Sequence, residues 1–528
     1  MKNTLKNSFW QLTVIYTAIV VLIALGLLWE YSLQFHIFAI IIAVLGIFII
    51  KKEDTSEETI NKKIHKWLFI TAIFFIFLIR AIPYIGNSIP LGYDVGIYKY
   101  AIESGLSEMP NWIITGPTME PGFLYLMEFF KIFFSTQFIL TGLLIFFSVI
   151  LGLGVYFVVK EFSNKKTALI ALFLYAFSLI QFKTFLFMYY KNVIGLSLML
   201  FTLYFLKKSE NKQRLIWVAV ILGGLIGAIH RPTFYIFGLS YFFYAFTSPY
   251  QNRSYKTKKM WFNILIGIAI LLVASLFYLG KWMESVLVLF DPVLQGFIQP
   301  GEGAGTFINF FIYQFSVLPY LPFALLGLFY FIRKRDFNIL VIWAVLNLLI
   351  VYFQFFFFNR FIIFLDAALI IMASVGFGVI IKHKKRLGSI LLIALIISAG
   401  VLAFKESINT NPLIDSEELS LIQSLNKTEA NAFVMSTDSY YSPWVLGYSN
   451  RRTIAPGLFD YDTNNYEEWY KFWTTNETDY TNQFLYIYQK PLYLFIGKYQ
   501  RMNMGKFNNS CLSLINQQNQ SYIYKYTC

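Results

Sequence analysis

Apolar runs of about 20 residues recur along this chain between short polar connections, and that habit limits what it can fold into more than any other feature. An α-helix rises about 1.5 Å per residue, so about 20 apolar residues cross the roughly 30 Å hydrocarbon layer of a bilayer. On that ruler spans fall near 8–29, 32–50, 67–85, 136–159, 166–181, 191–207, 214–230, 232–248, 261–280, 307–332, 337–358, 361–381 and 388–404. The expectation is a polytopic α-helical membrane protein with about thirteen transmembrane helices. Composition points the same way: 57% of the 528 residues are hydrophobic and only 14% are charged, where soluble domains carry about 25% charged residues.

The net charge of +14 would suit a nucleic-acid partner if it lay along one face. Instead the bases cluster in connections, so no nucleic acid is expected. The clusters are Lys2 and Lys6, Lys51-Lys52 with Lys62-Lys63, Lys160 with Lys165-Lys166, Lys207-Lys208 with Lys212 and Arg214, Lys256 with Lys258-Lys259, Arg333-Lys334-Arg335, and Lys382 with Lys384-Lys385-Arg386. They occupy every second connection, and the positive-inside rule assigns those to the cytoplasm. An integral plasma-membrane protein is expected, with its N-terminus inside and its C-terminus outside. Residues 1–404 then form a transmembrane domain with an outer loop at 86–135, and 405–528 an extracytoplasmic domain. The two cysteines, Cys511 and Cys528, lie in that outer segment, where one disulfide is open to them but no cysteine metal site.

Inner connections are short and basic, so chemistry belongs on the outer side. There "IPLGYDVGIYKYAI" holds a lone acid, Asp94, before a stretch from Val95 to Glu103 that suits a short helix. Asp is a favoured N-cap, so capping competes with catalysis as its role. Three further ionisable residues break the charge trend: His230 and Arg231 in "AIHRPTFYIF", and Arg360 in "FFNRFIIF". Each arginine either snorkels to lipid headgroups or joins an anion site. Lys191, Lys183 and Lys281 are weaker candidates. Asp366, about two turns inside a span, suits pairing with a base or a proton pathway. The glycines of "QPGEGAGTF", Gly301, Gly303 and Gly305, suggest a flexible outer loop that closes over substrate.

Gly92-Tyr93-Asp94 with Tyr98, followed by "TGPTMEPGFLYLMEFF" at 115–130, resembles the first outer loop of the GT-C membrane glycosyltransferases. That superfamily includes protein O-mannosyltransferases and the aminoarabinose transferase of lipid A. The resemblance implies a GT-C-like fold and a polyisoprenyl-phosphate-linked sugar donor. It also implies a glycan, lipid or protein acceptor and inverting transfer of a hexose or pentose. Under it Asp94 is the general base, Glu120 a second acid, and Tyr98 a substrate-positioning residue. Arg231, His230, Arg360 and Lys191 would bind the donor phosphate. For Glu120 the competing reading is a solvated acid in the first turn of a helix over 121–133. Many members carry a second acid directly after the first, whereas Val95 follows Asp94; metal use, with a divalent cation as the option, is thereby left open. Two additional spans precede the usual first one. The rival function is a flippase or exporter of lipid-linked saccharides, which would use the same cations without a catalytic acid.

After Phe404 the hydropathy falls, and "NAFVMSTDSYYSPWVLGYSNRRTIAPGLFD" reads as strand, turn, short helix and strand. A small α/β domain is expected. Tyr440, Tyr441, Trp444, Trp469 and Trp473 are read as its packed core in preference to a sugar-stacking surface.

Overall fold

A computed structural model describes residues 61–104, 120–251, 254–279, 308–334, 336–355, 358–454, 463–500 and 502–528. The spans expected at 8–29 and 32–50, residues 115–119 of the loop motif, Lys281 and the glycines of 301–305 lie outside these.

The bundle opens with α1 (Lys62–Ala81), followed by two short helices of the first loop, α2 (Val95–Ser104) and α3 (Pro121–Lys131). Next come α4 (Thr136–Phe162) and a bent pair, α5 (Lys165–Phe177) with α6 (Leu179–Leu186). Then α7 (Tyr190–Ser209), α8 (Ile216–Ile229), α9 (Arg231–Thr247) and α10 (Thr257–Ser275) follow. A second bent pair, α11 (Phe310–Val317) with α12 (Leu321–Arg333), leads to α13 (Ile339–Tyr352), α14 (Phe358–His383) and α15 (Lys385–Asn409). Among the described residues five helices are long and apolar enough to cross a membrane, or seven if each bent pair is one span. Helices α7, α8, α9 and α13 stand where spans were expected but are shorter or more polar than that standard, and the described residues do not confirm the expected count of thirteen.

Two expected single spans are broken. Residues 166–181 bend by 51° at Ser178, and 307–332 by 75° between α11 and α12. At the first break the Ser178 hydroxyl accepts from the Gln181 amide at 3.2 Å and starts a new helix. At the second, Pro319 has no N–H to continue the ladder, and Pro322 sits where a new helix tolerates it. The connection expected at 182–190 is therefore helical through Leu186 and turns only at Met188, which has φ +59°.

One expectation was that Asp366 pairs with a base in the bundle; among the described residues its partners are neutral. Fully buried in α14, it accepts hydrogen bonds from Ser178 Oγ at 2.9 Å and Gln181 Nε2 at 2.8 Å, and from the Tyr320 hydroxyl. It thus joins both helix breaks, Ser178 at one and Tyr320 at the other.

The C-terminal part comprises α16 (Ser416–Ser424), β1 (Phe433–Ser436), α17 (Ser442–Tyr448), β2 (Arg452–Ile454), α18 (Tyr466–Thr474), α19 (Thr478–Tyr486), β3 (Leu492–Ile496), β4 (Leu512–Gln518) and β5 (Ser521–Tyr526). Strand, turn, helix and strand fall where the sequence placed them. The sheet order is β2-β1-β3-β5-β4; β1 is parallel to β2 and β3, and β5 antiparallel to β3 and β4. Cys511 and Cys528 are disulfide-bonded beside the β4–β5 pair. Side chains alternate across the strands. Val434, Tyr493 and Phe495 join the core of the membrane bundle, while Met435, Leu492 and Leu494 face a second core under α18 and α19. Tyr441, Trp444 and Trp469 are buried, as a packed core requires. Tyr440 donates to the Leu413 carbonyl and Trp473 to that of Thr437.

Candidate active site

Asp94 immediately precedes α2, and its carbonyl accepts the Tyr98 amide at 3.0 Å. No described backbone amide donates to its carboxylate, so capping does not occupy it. Burial pushes this carboxyl up to about 6, while the charges of Lys191 and Arg360 pull it the other way. The chain reaches it through Gly92, whose φ of +94° and close approach to Phe187 and Met188 leave no room for a side chain. Asp94 is therefore set against the turn that ends in α7, the helix bearing Lys191.

Three helices start at this end of the bundle with a base in the first turn: Lys191 in α7, Arg231 in α9 and Arg360 in α14. The helix dipole opposes a cation there. These bases are thus placed against local preference, and their charges together with the helix dipoles favour a bound anion. Arg360 is exposed, whereas Lys191 and Arg231 are mostly covered.

Glu120 explains how two of them are held. It is 2% exposed, which corrects the reading of a solvated first-turn acid. One carboxylate oxygen accepts Lys191 Nζ at 2.8 Å; the other accepts Arg231 Nε at 3.4 Å and the Arg231 amide at 3.2 Å. Burial would raise this carboxyl, but the Lys191 and Arg231 charges outweigh it and hold the group at about 2.

His230 is the single residue between α8 and α9, 5% exposed, and caps α9: Nδ1 accepts the Thr233 amide and meets its hydroxyl at 2.7 Å. With Nδ1 accepting, the ring proton sits on Nε2, so His230 offers one neutral donor in place of a cationic phosphate ligand. Tyr98 is 4% exposed, its ring packed edge-on against Phe123 at 5.5 Å and tilted against Tyr190 at 5.9 Å. That placement ties α2 to α3 and α7. Lys183 pairs with Glu406 at 2.9 Å, away from the cluster. Among the described residues no three His, Cys, Asp or Glu side chains gather in a metal-binding group, and both oxygens of Glu120 are committed to bases. Among the described residues, two acids among three cations fit an anion beside a base.

A family model described as dolichyl-phosphate-mannose-protein mannosyltransferase matches residues 117–278, which include Glu120, Lys191, His230 and Arg231. No curated protein matches the chain by sequence. Among solved structures, the Archaeoglobus fulgidus oligosaccharyltransferase in its apo form is similar at a TM-score of 0.61 and 15% identity, covering 84% of this chain and 71% of its own. The archaeal oligosaccharyltransferase AglB from the same organism, in complex with an inhibitory peptide and a dolichol-phosphate, gives 0.58 and 14%, covering 82% and 69%. ArnT from Cupriavidus metallidurans in the apo state gives 0.57 and 10%, covering 87% and 97%. The chain thus shares the GT-C-like helical fold of these structures, with a small C-terminal sheet unit beside the bundle.

Proposed function

We infer that the protein is a glycosyltransferase moving a sugar from a polyisoprenyl-phosphate donor to an acceptor hydroxyl on the outer face of the membrane. The observation that carries this reading is the meeting of three base-bearing helix starts beside a carboxylate that feels the charges of Lys191 and Arg360. Asp94 takes the proton of the acceptor hydroxyl as its oxygen attacks the anomeric carbon. The bond from that carbon to the phosphate oxygen breaks, and the lipid phosphate leaves with the electron pair. Lys191, Arg231 and Arg360 stabilise the growing negative charge, a gain realised mainly in the transition state. Glu120 orients two of these bases, and Tyr98 holds α2 in register. With base and leaving group on opposite sides of the sugar, one displacement inverts the anomeric centre. The dolichol-phosphate in the AglB complex supports a lipid-phosphate partner for this fold.

The test is Asp94→Asn in purified protein that keeps its wild-type melting temperature. Transfer from a synthetic polyprenyl-phosphate hexose to a panel of hydroxyl acceptors is expected to fall by about 100-fold to 10,000-fold, the usual contribution of a general base. Undiminished transfer would remove Asp94 from the mechanism. Translocation of a fluorescent lipid-linked sugar by proteoliposomes, unaffected by Asp94→Asn, would favour the exporter instead.

A further inference from the structure

Helix α2 is ten residues long, and isolated helices shorter than about 12–15 residues are marginal even in favourable sequences. Its position, and with it that of Asp94, must come from its neighbours. On one side Gly92 lies against the Phe187–Met188 turn of the bundle. On the other, Gly96 lies against α17 of the C-terminal unit: a Cβ on Gly96 would overlap the Pro443 carbonyl, and one on Gly447 would overlap the Gly96 backbone. Two backbones in direct contact tolerate only hydrogen at both positions. The Tyr93 hydroxyl donates to the Ser439 carbonyl at 2.5 Å, and Lys99 Nζ lies 4.8 Å from the centre of the Tyr448 ring. Trp444 and Tyr448 stack on each other, centroids 5.5 Å apart, within the same core as Val95 and Tyr98. The acid is thus bracketed by a glycine two residues before it and a glycine two residues after it, each against a different part of the protein.

We propose that Tyr93, Gly96 and Gly447 are positioning residues through which the C-terminal unit sets the place of Asp94. The inference rests on the reading of Asp94 as the base. A side chain at the crossing pushes α2 off α17, and misplacement of a catalytic group by about 1 Å lowers turnover by roughly 100-fold. The cations are carried by α7, α9 and α14, so donor binding stays.

The experiment uses the full-length protein and the synthetic polyprenyl-phosphate hexose, with sugar-free polyprenyl phosphate as a binding probe. Gly447→Ala is expected to lower kcat by about 10- to 100-fold. The donor KM and the melting shift induced by polyprenyl phosphate should stay within about twofold of wild type, and the acid limb of the kcat profile should move. Tyr93→Phe is expected to change kcat and the acid limb in the same way by a smaller factor, and it decides the matter alone if Gly447→Ala does not fold. In an Asp94→Asn background Gly447→Ala should add almost nothing, because residues acting through one group are not additive. The proposal is overturned if the folded variants keep wild-type kcat and acid limb, or if turnover falls only in step with polyprenyl phosphate binding. Should Asp94→Asn itself stay active, the assignment of the base fails; should it be inactive while Gly447→Ala and Tyr93→Phe behave as wild type, only the positioning role fails.

Discussion

Asp94 is half-buried and flanked by positive charge, and the two influences have opposite consequences for its proton. Burial dominates and raises it to about 6. An acid raised in the folded state favours the protonated fold, a contribution full below its ordinary value of 3.8 and lost as the pH rises through 6. At neutral pH the ionised group therefore has a standing tendency to accept a proton, which is what a base needs. The kcat/KM of sugar transfer is expected to fall on the acid side with a limb near pH 6. Removing a cation that lowers this value must move the limb up: Arg360→Gln is expected to shift it to higher pH as well as weaken the donor, and an unmoved limb would detach Arg360 from Asp94. Glu120 has the opposite sign. Its stabilisation is present above its ordinary value of 4.5 and lost as the pH falls towards 2. Glu120→Gln leaves Lys191 and Arg231 facing a neutral amide. Breaking a buried pair from one side destabilises by about 3–5 kcal/mol, so a marked fall in melting temperature in detergent is expected along with loss of transfer. Asp94, Lys191, Arg231 and Arg360 were legible because ionisable residues stand out against apolar spans. The burial of Glu120 was not, because its partners lie 71 and 111 residues further along the chain.

The two bent spans show which cues a hydropathy ruler discards. Residues 317–322 read Val-Leu-Pro-Tyr-Leu-Pro, and Pro319 and Pro322 were a visible signal for the 75° bend. Ser178 gave a weaker one, since a serine within an apolar run often only bonds back to its own helix. Nothing local announced that Asp366 would bond to both breaks, because that meeting joins residues 188 and 46 positions apart. Asp366→Ala strands three buried donors, each worth about 1–3 kcal/mol when left unpaired. Its melting temperature is expected to fall well below that of Asp366→Asn, which keeps an acceptor oxygen. Equal melting curves for the two would show that the hydrogen bonds at the bends contribute little.

At the scale of the molecule, the sequence suggested a membrane domain ending near 404 and a separate unit after it. Hydropathy falls after Phe404, and the strand, turn and helix of 433–448 follow from alternation and turn residues alone. Contact between the two parts was out of reach, since Tyr93 meets Ser439 across 346 positions. One apolar core runs from α1 through α2 into α16, α17 and one face of the sheet. Deleting residues 411–528 is therefore expected to yield an aggregating bundle on size-exclusion chromatography, because it bares the α2 face that α17 covers; a monodisperse truncate would show the parts to be independent. The seam at Tyr93 and Ser439 has a pharmacological consequence. Under the proposed function, a small wedge lodged there would stop sugar transfer by prying Asp94 out of alignment, and it would need no likeness to a sugar or an isoprenoid.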